Sequence, residues 1–240
     1  MVYLAAGLLR VLVLFPRYTP TQRAQRITEW ARGMLAILHV QVRVTGTPPA
    51  QVKEGAQKGA VLVSNHVSWL DIHVLHSVLS VRFISKAEVR GWPVIGRLAQ
   101  ETGTVFLVRE KKADALRVNQ LMAEHIAAGD LLTFFPEGTT SDGRDLLPFF
   151  PSLFQPAVDA KADIWPVYLR YRDLQGQYCE AAAYFGDITM GQSLWRVANL
   201  EGLVVELKFL PAIASTPEAT RKSLAQQAEA TIRAAHDSQS

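Results

Sequence analysis

Val61-Leu62-Val63-Ser64 runs straight into Asn65-His66-Val67-Ser68-Trp69-Leu70-Asp71, joining a short apolar segment to a polar turn and a new periodicity. The apolar segment predicts the end of a buried strand, and Trp69, Ile72, Leu75, Val78 and Leu79 recur at helical spacing. His66 and Asp71 therefore flank a strand-to-helix turn, the place where active sites of open α/β sheets collect. An imidazole there can take a proton from a hydroxyl, while a carboxylate on its other ring nitrogen fixes the tautomer and steadies the imidazolium that forms. A plainer reading stands beside this one: Ser68 and Asp71 also form a capping-box pattern, with Asp71 supporting the first helical turn and no more. His73 and His76 crowd the same stretch, but at about 100° per residue they lie roughly 140 to 200° from Asp71 around the helix. No converging metal site is expected.

Outward from this stretch the chain alternates strands and helices. Strands are predicted at 61–64, 81–85, 104–108, 131–135, 164–172, 179–185 and 204–210. Helices are predicted at 69–79, 94–100, 113–128, 152–160 and, on the surface of the tail, 217–236. In the 113–128 helix Leu116, Leu121, Met122 and Ile126 are expected inward, with Gly129 as the stop signal. This pattern describes an α/β fold with a mixed, mostly parallel sheet flanked by helices.

The 240 residues suffice for one domain with a sizeable core. A single cysteine, Cys179, rules out an internal disulfide framework and reads as a buried structural thiol. The net charge of +3 conceals an uneven spread, because residues 1–50 carry six arginines against one acid, Glu29. That basic start is interleaved with apolar runs, 4–15 and 34–40, and suggests an element drawn to a membrane surface of anionic lipid. Arg10 interrupts the first run and Pro16 ends it; even a helix of about sixteen residues reaches only about 24 Å, short of a roughly 30 Å hydrocarbon core. The expected organisation is a helical, membrane-associated segment at 1–42 and a single α/β domain at 43–240. An amphipathic helix packed on the domain is the alternative for the first segment. The interleaving argues against a nucleic-acid arm, and the apolar run lacks the positive flank and cleavage site of a signal peptide.

Three further blocks carry chemistry. Gly103-Thr104-Val105-Phe106-Leu107-Val108-Arg109 sets an arginine just past a strand, where its planar fork of donors matches a phosphate or carboxylate, or where it simply pairs with Glu110. Phe135-Pro136-Glu137-Gly138-Thr139-Thr140-Ser141 follows another strand; Gly138 permits close backbone approach, and the loop can line an anion or glycerol pocket. Ile164-Trp165-Pro166-Val167 opens a third, with Pro166 readable as an edge-strand proline. Together with the first stretch, in this order, these blocks resemble the motifs of the glycerolipid acyltransferases, the family of 1-acylglycerol-3-phosphate O-acyltransferase. Asn65, Ser68, Gly103, Phe106 and Pro136 are part of that resemblance, which runs from about residue 60 to about 170.

The resemblance implies direct acyl transfer. His66, oriented by Asp71, deprotonates the free hydroxyl of a lysolipid, which attacks the thioester of acyl-CoA or acyl carrier protein as cosubstrate; no cofactor is implied. Consistent with a route lacking an acyl-enzyme, the chain contains no Gly-x-Ser-x-Gly nucleophile elbow. It further implies acceptor-binding roles for Arg109, Glu137, Gly138 and Thr139, a phosphate-side role for Lys86, a donor-side role for Pro166, and a place on the cytoplasmic face of a bacterial inner membrane. One departure stands out: Thr140 occupies the position after Glu-Gly-Thr where many phosphate-accepting members carry arginine, and the next arginine is Arg144. The Glu-Gly-Thr-Thr-Ser-Asp-Gly pattern also resembles the lyso-ornithine lipid acyltransferase branch. Lysophosphatidic acid ranks first, because Lys86, Arg109 and Arg144 together can neutralise a phosphate monoester. An acyl hydrolase and a noncatalytic lipid-binding protein are the readings from other classes.

Overall fold

Runs of β-branched and apolar residues pair into one seven-stranded sheet among the residues that the computed structural model describes: 14–49, 59–92, 95–107 and 112–238. In chain order the strands are β1 (Val40–Thr45), β2 (Ala60–Ser64), β3 (Arg82–Lys86), β4 (Val105–Leu107), β5 (Leu131–Phe134), β6 (Ile164–Arg172) and β7 (Leu203–Phe209). Their spatial order is β1-β7-β6-β2-β5-β3-β4, and only the β6–β7 pair is antiparallel. The helices are α1 (Pro20–Ile37), α2 (Leu70–Val78), α3 (Ile95–Glu101), α4 (Lys112–Ala127), α5 (Gln155–Asp159), α6 (Met190–Ala198) and α7 (Arg221–Asp237).

Parallel strands need crossovers, and the crossovers bury both faces of the sheet. Because side chains alternate along a strand, β2 sends Leu62 to one face and Val61 and Val63 to the other. On the first face Leu62, Leu169, Tyr171 and Leu207 meet Met34 and Leu35 of α1, Val74 and Leu75 of α2 and Val197 of α6. On the second, Val61, Val63 and Tyr168 meet Met122 and Ile126 of α4 and Leu224, Ala228 and Ile232 of α7.

Several expectations need correction. The proposed boundary between residues 42 and 43 falls inside β1, and Met34, Leu35, Leu38 and Val40, expected at a membrane surface, are buried in the domain's own core. Burial against the sheet already takes this helix face out of water, which leaves it unavailable to a membrane surface. Phe15, the end of the first apolar run, is buried beside Ile27; residues 1–13, including Arg10, lie outside the described residues. No helix among the described residues is long and apolar enough to cross a membrane.

The strand expected at 179–185 is instead a 3-10 turn at Glu180–Ala182, since its alanine run offers no β-branched surface and pairing stops at the Arg172↔Tyr178 bridge. The tail helix is not a surface element, for Leu224, Ala225, Ala228 and Ile232 close the second core. Leu121 is 42% exposed, on the outer side of α4. The 152–160 segment splits into a 3-10 turn, Pro151–Phe154, and α5. Pro166 does not sit on an edge: β6 lies between β7 and β2. The β6–β7 ladder begins at Val167↔Phe209, so the missing proline N–H removes no bond from within it.

Candidate active site

β2 stops at Ser64 because Asn65 turns its side chain into the ladder. Its Nδ2 donates to the Leu169 carbonyl (2.9 Å) and its Oδ1 accepts from the Leu169 N–H (2.8 Å), in a fully buried exchange with β6. The next residue, His66, is held by its backbone from the loop after β5. Its N–H donates to Glu137 Oε1 (2.7 Å) and its carbonyl accepts from the Ser141 N–H (2.9 Å). The imidazole lies flat on Phe135, with centroids 3.7 Å apart and planes inclined by 5°.

His66 Nδ1 is 2.8 Å from Asp71 Oδ2, and the Asp71 side chain is fully buried while that of His66 is 17% exposed. The same Oδ2 accepts the Val67 and Ser68 N–H groups at 2.8 and 3.0 Å, and Oδ1 accepts the Tyr171 hydroxyl at 2.6 Å. Four donors thus saturate a buried carboxylate, as its desolvation demands. The contacts of both the capping arrangement and the His–Asp pair are present. Asp71 satisfies backbone amides ahead of α2 and holds the imidazole with the same oxygen, while Ser68 Oγ accepts weakly from Leu70 N–H at 3.4 Å. Burial, then the Asp71 charge, pushes the Tyr171 phenol well above its ordinary range, so it remains a donor.

Glu137 is 2% exposed, and its two oxygens accept from the His66 and Leu147 N–H groups (2.7 and 3.0 Å). Burial pushes its carboxyl up to about 7, against the opposing pull of those amides. The resemblance implies an acceptor contact for this residue; its side chain instead braces two loops, because a buried carboxylate finds its partners in the backbone. Gly138, at φ +69°, makes the turn that lets the loop double back, and Thr139 is exposed beyond it. Pro136 is buried and its carbonyl accepts from Phe150 N–H at 2.9 Å.

Arg144 is exposed and already engaged: its guanidinium donates to Glu180 (3.0 Å) and lies 4.7 Å over the Tyr178 ring. Lys86 ends β3 on the same carboxyl edge of the sheet as His66, but its side chain, like the whole of Arg109, lies outside the described residues. Gly103 has φ +81°, and a Cβ there would stand 2.2 Å from Arg82 Nη1; Phe106 pairs opposite Ser85.

A second pair with the same five-residue spacing, His125 and Asp130, shows that spacing alone decides little. It too is 2.8 Å apart, but Asp130 precedes β5, at the amino edge of the sheet, and Arg82 binds the same oxygen at 2.6 Å. Sequence reasoning missed Tyr171 and Phe135. The alternation Val167, Leu169, Tyr171 carried a signal for the first, since a buried tyrosine needs a partner for its hydroxyl.

An imidazole with one nitrogen on a buried carboxylate and the other without a hydrogen-bond partner among the described residues is equipped to accept a proton. The comparisons give this site its class: a model of the acyltransferase family matches residues 41–170, and the chain belongs to that family. It is 35% identical over 215 residues to a 1-acyl-sn-glycerol-3-phosphate acyltransferase of Neisseria meningitidis serogroup B, spanning 90% of this chain and 82% of that one. It is 37% identical over 216 residues to a lyso-ornithine lipid O-acyltransferase of Pseudomonas aeruginosa, spanning 90% and 80%. The crystal structure of the 1-acyl-sn-glycerophosphate (LPA) acyltransferase PlsC from Thermotoga maritima superposes with a TM-score of 0.69 at 20% identity, covering 98% of this chain and 87% of that one, a likeness of fold. The chain is accordingly an acyltransferase of the lysolipid-accepting kind.

Proposed function

We propose that this chain transfers a fatty acyl group from acyl-CoA or acyl carrier protein to the free hydroxyl of 1-acylglycerol-3-phosphate, giving phosphatidic acid. The observation that carries the reading is the His66–Asp71 pair at the carboxyl end of β2, clamped by backbone bonds on both sides of the imidazole. His66 Nε2 takes the acceptor's hydroxyl proton as the oxygen attacks the thioester carbonyl. The C–O bond forms, the C–S bond breaks, and the departing thiolate takes the proton back from the imidazolium. Asp71 stays ionised throughout and holds Nδ1–H in place.

Lys86, Arg109 and Arg144 are the cations offered to the acceptor phosphate; Lys86 ends β3 at the carboxyl edge of the sheet, and Arg144 lies in the loop after β5. Two things support lyso-ornithine lipid as the second acceptor: Thr140 stands where a phosphate-binding arginine would be, and Arg144 is occupied by Glu180. Both acceptors are lipids, so the enzyme works peripherally on a membrane, at the cytoplasmic face of a bacterial inner membrane, with the basic N-terminal segment against anionic lipid.

The test is to incubate purified protein in mixed micelles with radiolabelled acyl donor and either lysophosphatidic acid or lyso-ornithine lipid, with His66→Ala in parallel. Diacyl product from lysophosphatidic acid alone is expected. Product from lyso-ornithine lipid alone replaces the acceptor, and free fatty acid without diacyl lipid makes the protein a hydrolase.

A further inference from the structure

We infer that Tyr171 is a positioning residue of the transfer reaction, acting on the base His66 through Asp71. The inference rests on the proposed role of His66. Tyr171 stands a hundred residues from Asp71 in sequence, on a central strand, is 1% exposed, and donates to Asp71 Oδ1 at 2.6 Å.

The division of labour on the carboxylate gives the phenol its function. Oδ2 gathers three donors, the His66 ring nitrogen and the Val67 and Ser68 amides, whereas the hydroxyl of Tyr171 is the donor to Oδ1. The amides fix where Oδ2 lies, and the phenol fixes the plane of the carboxylate from the other side, so the oxygen facing the imidazole cannot swing away. The phenol also draws charge toward Oδ1, which makes the carboxylate a weaker base. The Nδ1 proton then stays on the imidazolium instead of passing to Asp71, and the proton on Nε2 is the one given to the departing thiolate. A merely space-filling ring at 171 would do neither.

The test is Tyr171→Phe, which keeps the ring and deletes the donor. Loss of one charge-assisted bond predicts a kcat about tenfold lower, with KM for donor and acceptor within about twofold of wild type. In protein labelled with 15N-histidine, with His66→Ala identifying the signal, the Nδ1–H resonance of His66 should move downfield as Asp71 becomes the stronger acceptor. This reading needs no turnover, so an absence of acyl transfer in the wild type would sink the proposed function and leave the test of Tyr171 standing. Unchanged kcat with an unmoved resonance overturns the inference, as does a fall in kcat matched by proportional rises in both KM values. Should the phenylalanine variant not fold, fluorotyrosine incorporated at 171 keeps the packing and alters only the acidity of the donor; kcat and resonance must then shift together, and constancy of both is the overturning result.

Discussion

Asp71→Asn replaces one oxygen of a carboxylate that receives four hydrogen bonds, and the surroundings dictate which one. Three donors converge on Oδ2, so an amide nitrogen there would face three N–H groups. The asparagine must therefore turn its oxygen to that side and its NH2 toward Tyr171, whose hydroxyl can rotate to accept. His66 keeps its Nδ1–H partner and its tautomer, since the Val67 and Ser68 amides lock the asparagine oxygen in place. What disappears is the charge opposite the imidazolium. A charge-assisted bond of about 1.5 to 3 kcal/mol becomes a neutral one of about 1 kcal/mol, which places the cost at about 0.5 to 2 kcal/mol at the transition state, with loss of longer-range attraction adding a similar amount. The expected fall in kcat is about a hundredfold, well short of the roughly ten-thousandfold seen where such a change reverses the tautomer. Initial rates with saturating donor and acceptor measure it, with circular dichroism melts to verify the fold. A loss of ten-thousandfold or more would refute the locking role of the two amides, and activity within threefold of wild type would refute the dyad.

Further outcomes follow from the same geometry. His66→Ala should lower kcat by several orders of magnitude while the melting curve stays cooperative, because its side chain supports only the stack on Phe135 and one of the four bonds on Asp71, whose other three donors remain; near-normal transfer would remove it as the base. Glu137, raised to about 7 by burial, binds its proton more tightly folded than unfolded, so its contribution favours the fold below pH 4.5 and is lost as pH rises through 7. That change is about 3 kcal/mol, and urea midpoints between pH 4.5 and 8 should fall in the wild type and flatten in Glu137→Gln. Equal slopes in the two proteins would contradict it. Arg144→Ala should raise the KM for lysophosphatidic acid about tenfold and leave that for lyso-ornithine lipid unchanged; no effect on either would take Arg144 out of the acceptor site.

The β2 turn, the alternation of elements and the His66–Asp71 pair were legible because they rest on local periodicity and short spacing. β1 was not, since Val40 to Val44 alternates with Gln41 and Arg43 and follows a helix whose apolar face suggested a membrane. The role of Glu137 was hidden for a different reason: its partners are backbone amides, of His66 and Leu147, and backbone groups leave no mark in a sequence. The same holds for the four donors on Asp71, of which two are amides and one comes from a strand a hundred residues on. His125 and Asp130 carry the spacing of the His66–Asp71 pair without its setting, so the strand end, more than the interval, marks the candidate site.

The pairing of β1 with β7 bears on the order of events during synthesis. β1 leaves the ribosome first, yet its strand partner in this sheet, reached at Val40↔Leu203, is the last strand to be made. Until then β1 has no strand beside it, and the α1 face that carries Met34 and Leu35 is left partly uncovered. In that interval these residues need another cover, which the facing helix α2 can supply, so that docking of α1 on α2 and closure of the sheet by β7 become successive steps of folding.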